Sequence, residues 1–356
     1  MKSINFFSFL VLCALTTVSC SKDEGSDNQP PAITRGIYVL NEGLFSQNNT
    51  MLTYYDPSTN KATTDIFANV NGSGLGDTGN DIIIYGGKGY IVMNGSSYLQ
   101  VMNAATATGL KKIELKTGNG APRMPRYAVS YRNKVYVSCS DGSVAVIDTS
   151  SLATEKYINV GLNPEQMVVV GDRLFVANSG GFTAEFDSTV SEIDLITQTE
   201  TRKIQVGVNP GSITADEAGN VYVACTGNYS QIKPRLVKFN ANTGNIVKSA
   251  DTVVGKLRYH NGYLLVTGGY IGTNTVRALN TNDFAQLGST WITDGTAIQM
   301  PYGLYTDPTT GDVFVTDAKN YTAAGEVFCF DKDGKKKYSF SVSPGVNPNG
   351  IAIWKQ

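Results

Sequence analysis

Read for its apolar and polar positions, the chain repeats one short run. It occurs as "IYVLN" (37–41), "YIVMN" (90–94), "VYVSC" (135–139), "LFVAN" (174–178), "VYVAC" (221–225), "LLVTG" (264–268) and "VFVTD" (313–317). The middle valines, Val39, Val92, Val137, Val176, Val223, Val266 and Val315, recur at intervals of 39 to 53 residues. Before many of these runs lies a Pro- or Gly-marked strand, such as "NPEQMVVV", "NPGSITAD" or "MPYGLYTD". After them comes a strand that runs into a turn rich in Asp, Asn and Thr, as in "GSVAVIDTSS", "STVSEIDLIT" and "PRLVKFNANT". A fourth strand follows, for example "EKYINV" or "TRKIQV". Four strands at this period, lettered A to D within each repeat, predict propeller blades. No segment of comparable length sustains a helical period, which argues against helix-based solenoids.

The ends fix the count. The repeats begin at a B strand, "GIYVL", with no A strand before it, and finish at "NPNGIAIW", an A strand with nothing after it. Residues 347–354 are therefore expected to complete the first blade and remove an unpaired inner edge. The expected fold is all-β, a seven-bladed propeller over residues 35–356, its ring closed by the C-terminal strand.

The N-terminus reads as an address. Lys2 precedes an apolar run from Phe6 to Val18, too short to span a bilayer and typical of a secretory signal. At "TVSC", small residues precede Cys20 in the manner of a lipoprotein signal-peptidase site; the plainer alternative is a cleaved signal with a chance cysteine. These features predict a signal peptide over 1–19 and a lipidated, flexible tether over 20–34, polar, acidic and proline-containing. "CSKDEG" resembles the acidic export signal that sends lipoproteins of the Bacteroidetes to the outer cell surface. The expected location is the outer membrane, lipid-anchored through Cys20 and facing outward. Acyl chains contribute ~0.8 kcal/mol per buried CH₂, so two of them anchor stably.

Charge and cysteine content narrow the partners. A formal net charge of -1 gives no reason to expect nucleic acid. Cys139, Cys225 and Cys329 remain after the signal and the acylated cysteine, an odd number without close spacing. They read as buried free thiols rather than a disulfide framework or a zinc site.

The connections divide into two unlike sets. A–B and C–D turns, among them "YGGKG", "VGDR", "YHNG", "DPSTN" and "DKDG", are tight and polar, in residues that tolerate hairpin geometry. B–C and D–A loops, such as "NEGLFSQNN", "NSGGFTAEFDS", "CTGNYSQIKP" and "STWITDGTAIQM", are longer and carry aromatics. Those aromatics are Phe45, Tyr98, Phe182, Phe186, Tyr229, Tyr270, Trp291 and Tyr321. Either they form a one-sided contact surface, or some of them pack beneath their own loops. Asn41, Asn94 and Asn178 end their B strands, and Asp81, Arg126, Gln166, Tyr302 and Asn349 lie near the A-strand starts. These groups either hydrogen-bond a polar ligand at the channel or satisfy neighbouring backbone. The expected ligand contacts are Asn41, Phe45, Asn94, Tyr98, Arg126, Asn178, Phe182, Tyr229, Tyr270, Trp291, Tyr302 and Tyr321.

Little points to catalysis. The one histidine, His260, falls in the turn "YHNG" on the plain face, which excludes His-dependent triads and multi-histidine metal sites. Asp77 and Asp81 in "GDTGND" read as strand caps ahead of a cation site, and "DKDG" as a turn. The expectation is a binding protein, not an enzyme, with no cofactor and no metal of its own.

The repeated "NP…VYVA…IDT…I.VG" texture resembles the YncE-like seven-bladed propellers over most of residues 35–356. The opening "IYVLNEGLFSQNNTMLTYYDPSTN", joined to a surface-lipoprotein signal, is similar to the surface propeller lipoproteins of Bacteroidetes, among them the BtuG-like cobalamin-binding proteins. That resemblance implies capture of cobalamin or a related corrinoid as a transported ligand, passed to a TonB-dependent outer-membrane transporter. Cobalamin is large, amide-decorated and partly flat, which suits a wide face of aromatics and amides. A glycan-binding lipoprotein, a structural surface-layer propeller and an enzyme of the lactonase kind are the alternatives.

Overall fold

A computed structural model describes residues 1, 33–181, 185–268 and 275–356. Residues 34–356 form one compact unit of seven four-stranded antiparallel sheets. Each sheet is a blade whose strands follow one another in chain order from the inside outward. Blade 2, for example, runs Gly79–Tyr85, Lys88–Met93, Tyr98–Asn103 and Gly109–Glu114. Blade 1 is the exception, because its inner strand is the last of the chain. Pro348–Lys355 pairs with Thr34–Asn41 in the register Ile353↔Ile37, Ala352↔Tyr38 and Ile351↔Val39. The expected closure over 347–354 is thus met within one residue at each end.

The B strand is a continuous apolar run because both of its faces are covered. All seven of its central valines have no exposed surface. Alternate residues point to opposite sides of a strand, so each B strand serves two neighbouring blades. In Thr34–Asn41, Tyr38 and Leu40 pack with Ile82, Ile91 and Met93 of blade 2. Ile37 and Val39, on the other side, pack with Phe314, Val327 and Cys329 of blade 7. Seven such inter-blade cores fill the ring. The outermost strands bury little; Gly109–Glu114 buries only Ile113. Cys139, Cys225 and Cys329 are buried free thiols, as expected.

The A strands surround a central channel. Their close approach leaves no room for a side chain at Gly303, where a Cβ would lie 2.6 Å from the Asn349 carbonyl oxygen. Several A strands carry a register shift at the end nearer the long loops. It falls between Pro125 and Ala128, Pro164 and Met167, Pro210 and Ser212, and Pro301 and Leu304. An extra residue re-aims the side chains beside it. The residues in these bulges, Arg126, Tyr127, Glu165, Gln166, Gly211 and Tyr302, are the ones that line the channel mouth.

Among the described residues, one element departs from the all-strand expectation. After a short outer strand, Lys61–Thr63, the loop into blade 2 opens with a single helical turn and a half, Ile66–Asn71. It buries Phe67 against blades 1 and 2.

Candidate functional site

Two connected cavities occupy the ring axis. The outer, of about 350 Å³, opens on the long-loop face and is walled by the bulged A-strand ends and by Asn209, Thr226, Tyr229 and Tyr321. The inner, of about 240 Å³, is the channel itself, with Asp81, Arg258, Tyr305 and Asn349 among its walls. Tyr127, Gln166 and Lys256 line both and mark the neck.

The mouth is held by ionic hydrogen bonds between blades. The Arg126 guanidinium reaches across to blade 4, with Nε and Nη2 donating to Glu165 Oε2 at 3.1 and 2.9 Å. Its Nη1 donates to Asn80 Oδ1 of blade 2 at 2.8 Å. Burial by itself depresses such a cation, but the Glu165 carboxylate beside it prevails and holds Arg126 above its ordinary value. On the blade 7 side the Tyr302 hydroxyl donates to Glu42 Oε2 at 2.6 Å. Burial, then the Glu42 charge, pushes the Tyr302 phenol well up, so it remains a donor. The Tyr302 and Tyr321 rings meet edge to face at 5.8 Å. Across the opening, Tyr229 accepts a hydrogen bond from Asn209 Nδ2 at 3.2 Å and sits edge to face against Phe186 at 6.1 Å. Tyr229 is 66% and Tyr321 39% exposed, which leaves apolar ring surface on the rim. Phe45, at the tip of the blade 1 loop, is 74% exposed.

The sequence-based set of contacts is only partly brought together. Arg126, Tyr229, Tyr302 and Tyr321 line the mouth, and Phe45 stands free on the same face. The three asparagines donate to partners within the protein. Asn41 Nδ2 donates to Thr53 Oγ1 at 3.0 Å, Asn94 Nδ2 to the Pro125 carbonyl at 3.0 Å, and Asn178 Nδ2 to Ser191 Oγ at 2.9 Å. Each is buried at the end of a B strand and pins its neighbours. Tyr98 also is buried; its hydroxyl donates to the Leu75 carbonyl, because the loop before blade 2 folds over it.

Trp291 lies elsewhere. The outer strand of blade 6 is only Gln286–Leu287, and the chain beyond it fills the gap between blades 6 and 7. The indole Nε1 donates to the Tyr263 hydroxyl at 3.0 Å, and the ring packs against Phe330 and His260 beside the turns of the plain face. His260 is at that face as expected, and it is buried. Phe182 and Tyr270 lie outside the described residues, as does Cys20.

Glu42, Glu165, Lys256 and Arg258 were not singled out from the sequence. The only signal for the first two is their place, next to Asn41 at a B-strand end and to the proline that opens an A strand. Asp77 accepts from the Ser46 backbone N–H at 3.2 Å and Asp81 from that of Ala128 at 2.9 Å, so both cap backbone.

A seven-bladed propeller with a polar, aromatic-rimmed channel mouth is the class that this fold and site define. The chain belongs to the family described as "Domain of unknown function (DUF5074)", whose model matches residues 35–347. No curated protein matches it. Among solved structures it is similar to a quinonprotein alcohol dehydrogenase-like protein from Bacteroides thetaiotaomicron, with 15% identity over 90% of this chain and 79% of that one, TM-score 0.64. It is similar also to BamB from Moraxella catarrhalis, with 17% identity over 89% and 85% of the two chains, TM-score 0.55. Hydrazine synthase of Kuenenia stuttgartiensis matches at 17% identity over 72% and 77%, TM-score 0.59. At these identities the likeness is one of fold.

Proposed function

We propose that this protein is a non-catalytic, lipid-anchored capture protein of the outer cell surface, which binds a corrinoid on its long-loop face for a TonB-dependent transporter. The observation that carries the reading is the one-sided mouth. Exposed Tyr229 and Tyr321 line a cavity whose walls include amides and the bonded Arg126–Glu165 pair, and exposed Phe45 stands on the same face. At about 350 Å³ that cavity is at the low end of the ~300–1,000 Å³ typical of small-molecule sites. A large, partly flat ligand would rest on the rim and send only an edge group inward, which is how cobalamin suits it. The lipoprotein signal ending at Cys20, the acidic "SKDEG" after it and the likeness of residues 37–60 to the cobalamin-binding propellers support the same reading. The single histidine, buried away from the mouth, supports binding over His-dependent chemistry.

Corrinoid titration tests it, with visible absorbance as the readout. Stacking contributes ~0.5–1.5 kcal/mol per ring beyond area burial. Replacing Phe45, Tyr229 and Tyr321 together by Ala is expected to weaken binding by roughly ten- to a thousandfold at ~1.4 kcal/mol per decade. Lys332→Ala, on the plain face, is the control and leaves affinity unchanged. Wild-type protein that binds no corrinoid refutes the ligand; binding of a glycan panel instead moves the assignment to sugars. Equal losses from both faces refute the location.

A further inference from the structure

The neck of the channel holds two cations that no carboxylate bonds among the described residues. Lys256 precedes the inner strand of blade 6, Leu257–His260, and Arg258 lies within it. Arg258 and Lys256 both act on the Asp81 carboxyl, yet neither forms an ion pair among the described residues. Lys256 Nζ donates to the Tyr127 hydroxyl at 3.3 Å. Arg258 employs Nη1, which donates to its neighbour Leu257's carbonyl at 2.9 Å and to Gln166 Oε1 at 3.4 Å. Among the described residues, no hydrogen bond engages its Nε or Nη2.

Arg126, at the mouth of the same passage, supplies the comparison. Both arginines are partly exposed in the passage, and only one has a carboxylate bonded to it. Arg126 is held above its ordinary value by Glu165, whereas burial holds Arg258 below, with Asp81, Tyr127 and Tyr305 offsetting part of the effect. Burial raises the Asp81 carboxyl, and the Ala128 N–H and the two cations offset part of that effect. A cation taken out of water without a bonded partner is costly. Free N–H donors on side chains that line a walled space are what an oxyanion requires. The channel, at about 240 Å³, has room for an ion of a few water volumes, each ~30 Å³.

We propose that Lys256 and Arg258 form an oxyanion site at the channel neck, which takes a phosphate or carboxylate group that enters from the long-loop face. The group is either a free ion or the anionic portion of a larger ligand on the rim. The second source rests on the corrinoid reading, and the first does not. Cobalamin carries a phosphodiester and cobinamide lacks it, so the pair reports the second source.

The experiment is calorimetric titration of the wild-type protein with inorganic phosphate, acetate, cobalamin and cobinamide. Hydrogen bonds to charged groups are worth enough that each cation contributes about ten- to a hundredfold. Lys256→Gln and Arg258→Gln are each expected to weaken phosphate binding by that factor. Asp81→Asn, which keeps an acceptor for the Ala128 N–H but removes the competing charge, is expected to tighten it. Circular dichroism verifies the fold of each variant, and Asp81→Asn remains informative if the others do not fold. If the ligand supplies the anion, cobalamin binds more tightly than cobinamide and the two Gln variants erase the difference. The proposal is overturned if neither phosphate nor acetate binds and the corrinoids respond equally to the substitutions. Phosphate binding unmoved by all three substitutions overturns it as well. Phosphate binding without any corrinoid binding supports the oxyanion site while refuting the corrinoid reading.

Discussion

Removal of the closing strand is the most direct challenge to the architecture. Truncation after Asn347 deletes Pro348–Lys355, the inner strand of blade 1. It takes away Ile351, 5% exposed, and Ala352, 3% exposed, together with half-buried Ile353 and Trp354. Full burial of a large apolar side chain is worth ~1.5–3 kcal/mol, so Ile351 with its two partly buried neighbours accounts for about 3–6 kcal/mol. Unpaired backbone along Thr34–Asn41 adds to the loss. Against a stability of ~5–15 kcal/mol, the truncated chain is expected to lose cooperative folding at room temperature or close to it. Ile351→Ala is the graded version: it opens a cavity between Val39, Phe314 and Val327 and is expected to cost ~2–5 kcal/mol. At ~2 °C per kcal/mol for a large domain, the melting temperature drops by about 4–10 °C. Ile246→Ala, on the exposed outer strand of blade 5, changes stability by no more than ~0.5 kcal/mol and serves as control. The assay is thermal unfolding by circular dichroism. A truncated protein that melts as cooperatively and as high as the full chain refutes closure by this strand.

Three further outcomes are expected. Burial pushes the phenols of Tyr90, Tyr98 and Tyr305 up to about 12, while unfolded tyrosine titrates near ~10. Between those values the unfolded chain binds fewer protons than the folded one, so stability present below pH ~10 is lost as pH rises toward 12; alkaline melting curves together with tyrosinate absorbance check this, and a flat profile contradicts it. Burial likewise raises the Cys139, Cys225 and Cys329 thiols to about 12, so a thiol reagent at neutral pH labels them only in denaturant. Cys20→Ala is expected to release the protein from the membrane, and replacing Lys22, Asp23 and Glu24 by Ala to leave it lipidated but facing inward. Native protein that external protease cannot reach in intact cells contradicts the surface location.

The repeat was legible because it is written in local chemistry. A strand buried on both sides must be apolar throughout, and seven copies of "VYV"-like runs with polar turns at a fixed spacing leave little besides a propeller. The closing strand followed from counting strands at the two ends. The division of loops into a plain and an aromatic set was also visible, since turn residues betray tight hairpins. What those aromatics do was not. Tyr98 and Trp291 have the same residue character as Tyr229 and Tyr321. The first pair is buried because a loop folds over Tyr98 and because blade 6 has a two-residue outer strand whose continuation carries Trp291 between blades. The amides Asn41, Asn94 and Asn178 are drawn to backbone and hydroxyl partners that only the folded ring supplies. Arg126 meets Glu165 from 39 residues away, and Arg258 is left without a carboxylate although Asp81 shares its channel. Nothing in the order of residues separates those two arginines. Tertiary structure decides it, because a charge is satisfied or stranded by what the neighbouring blades bring within hydrogen-bonding reach, and that is set by the closing of the ring.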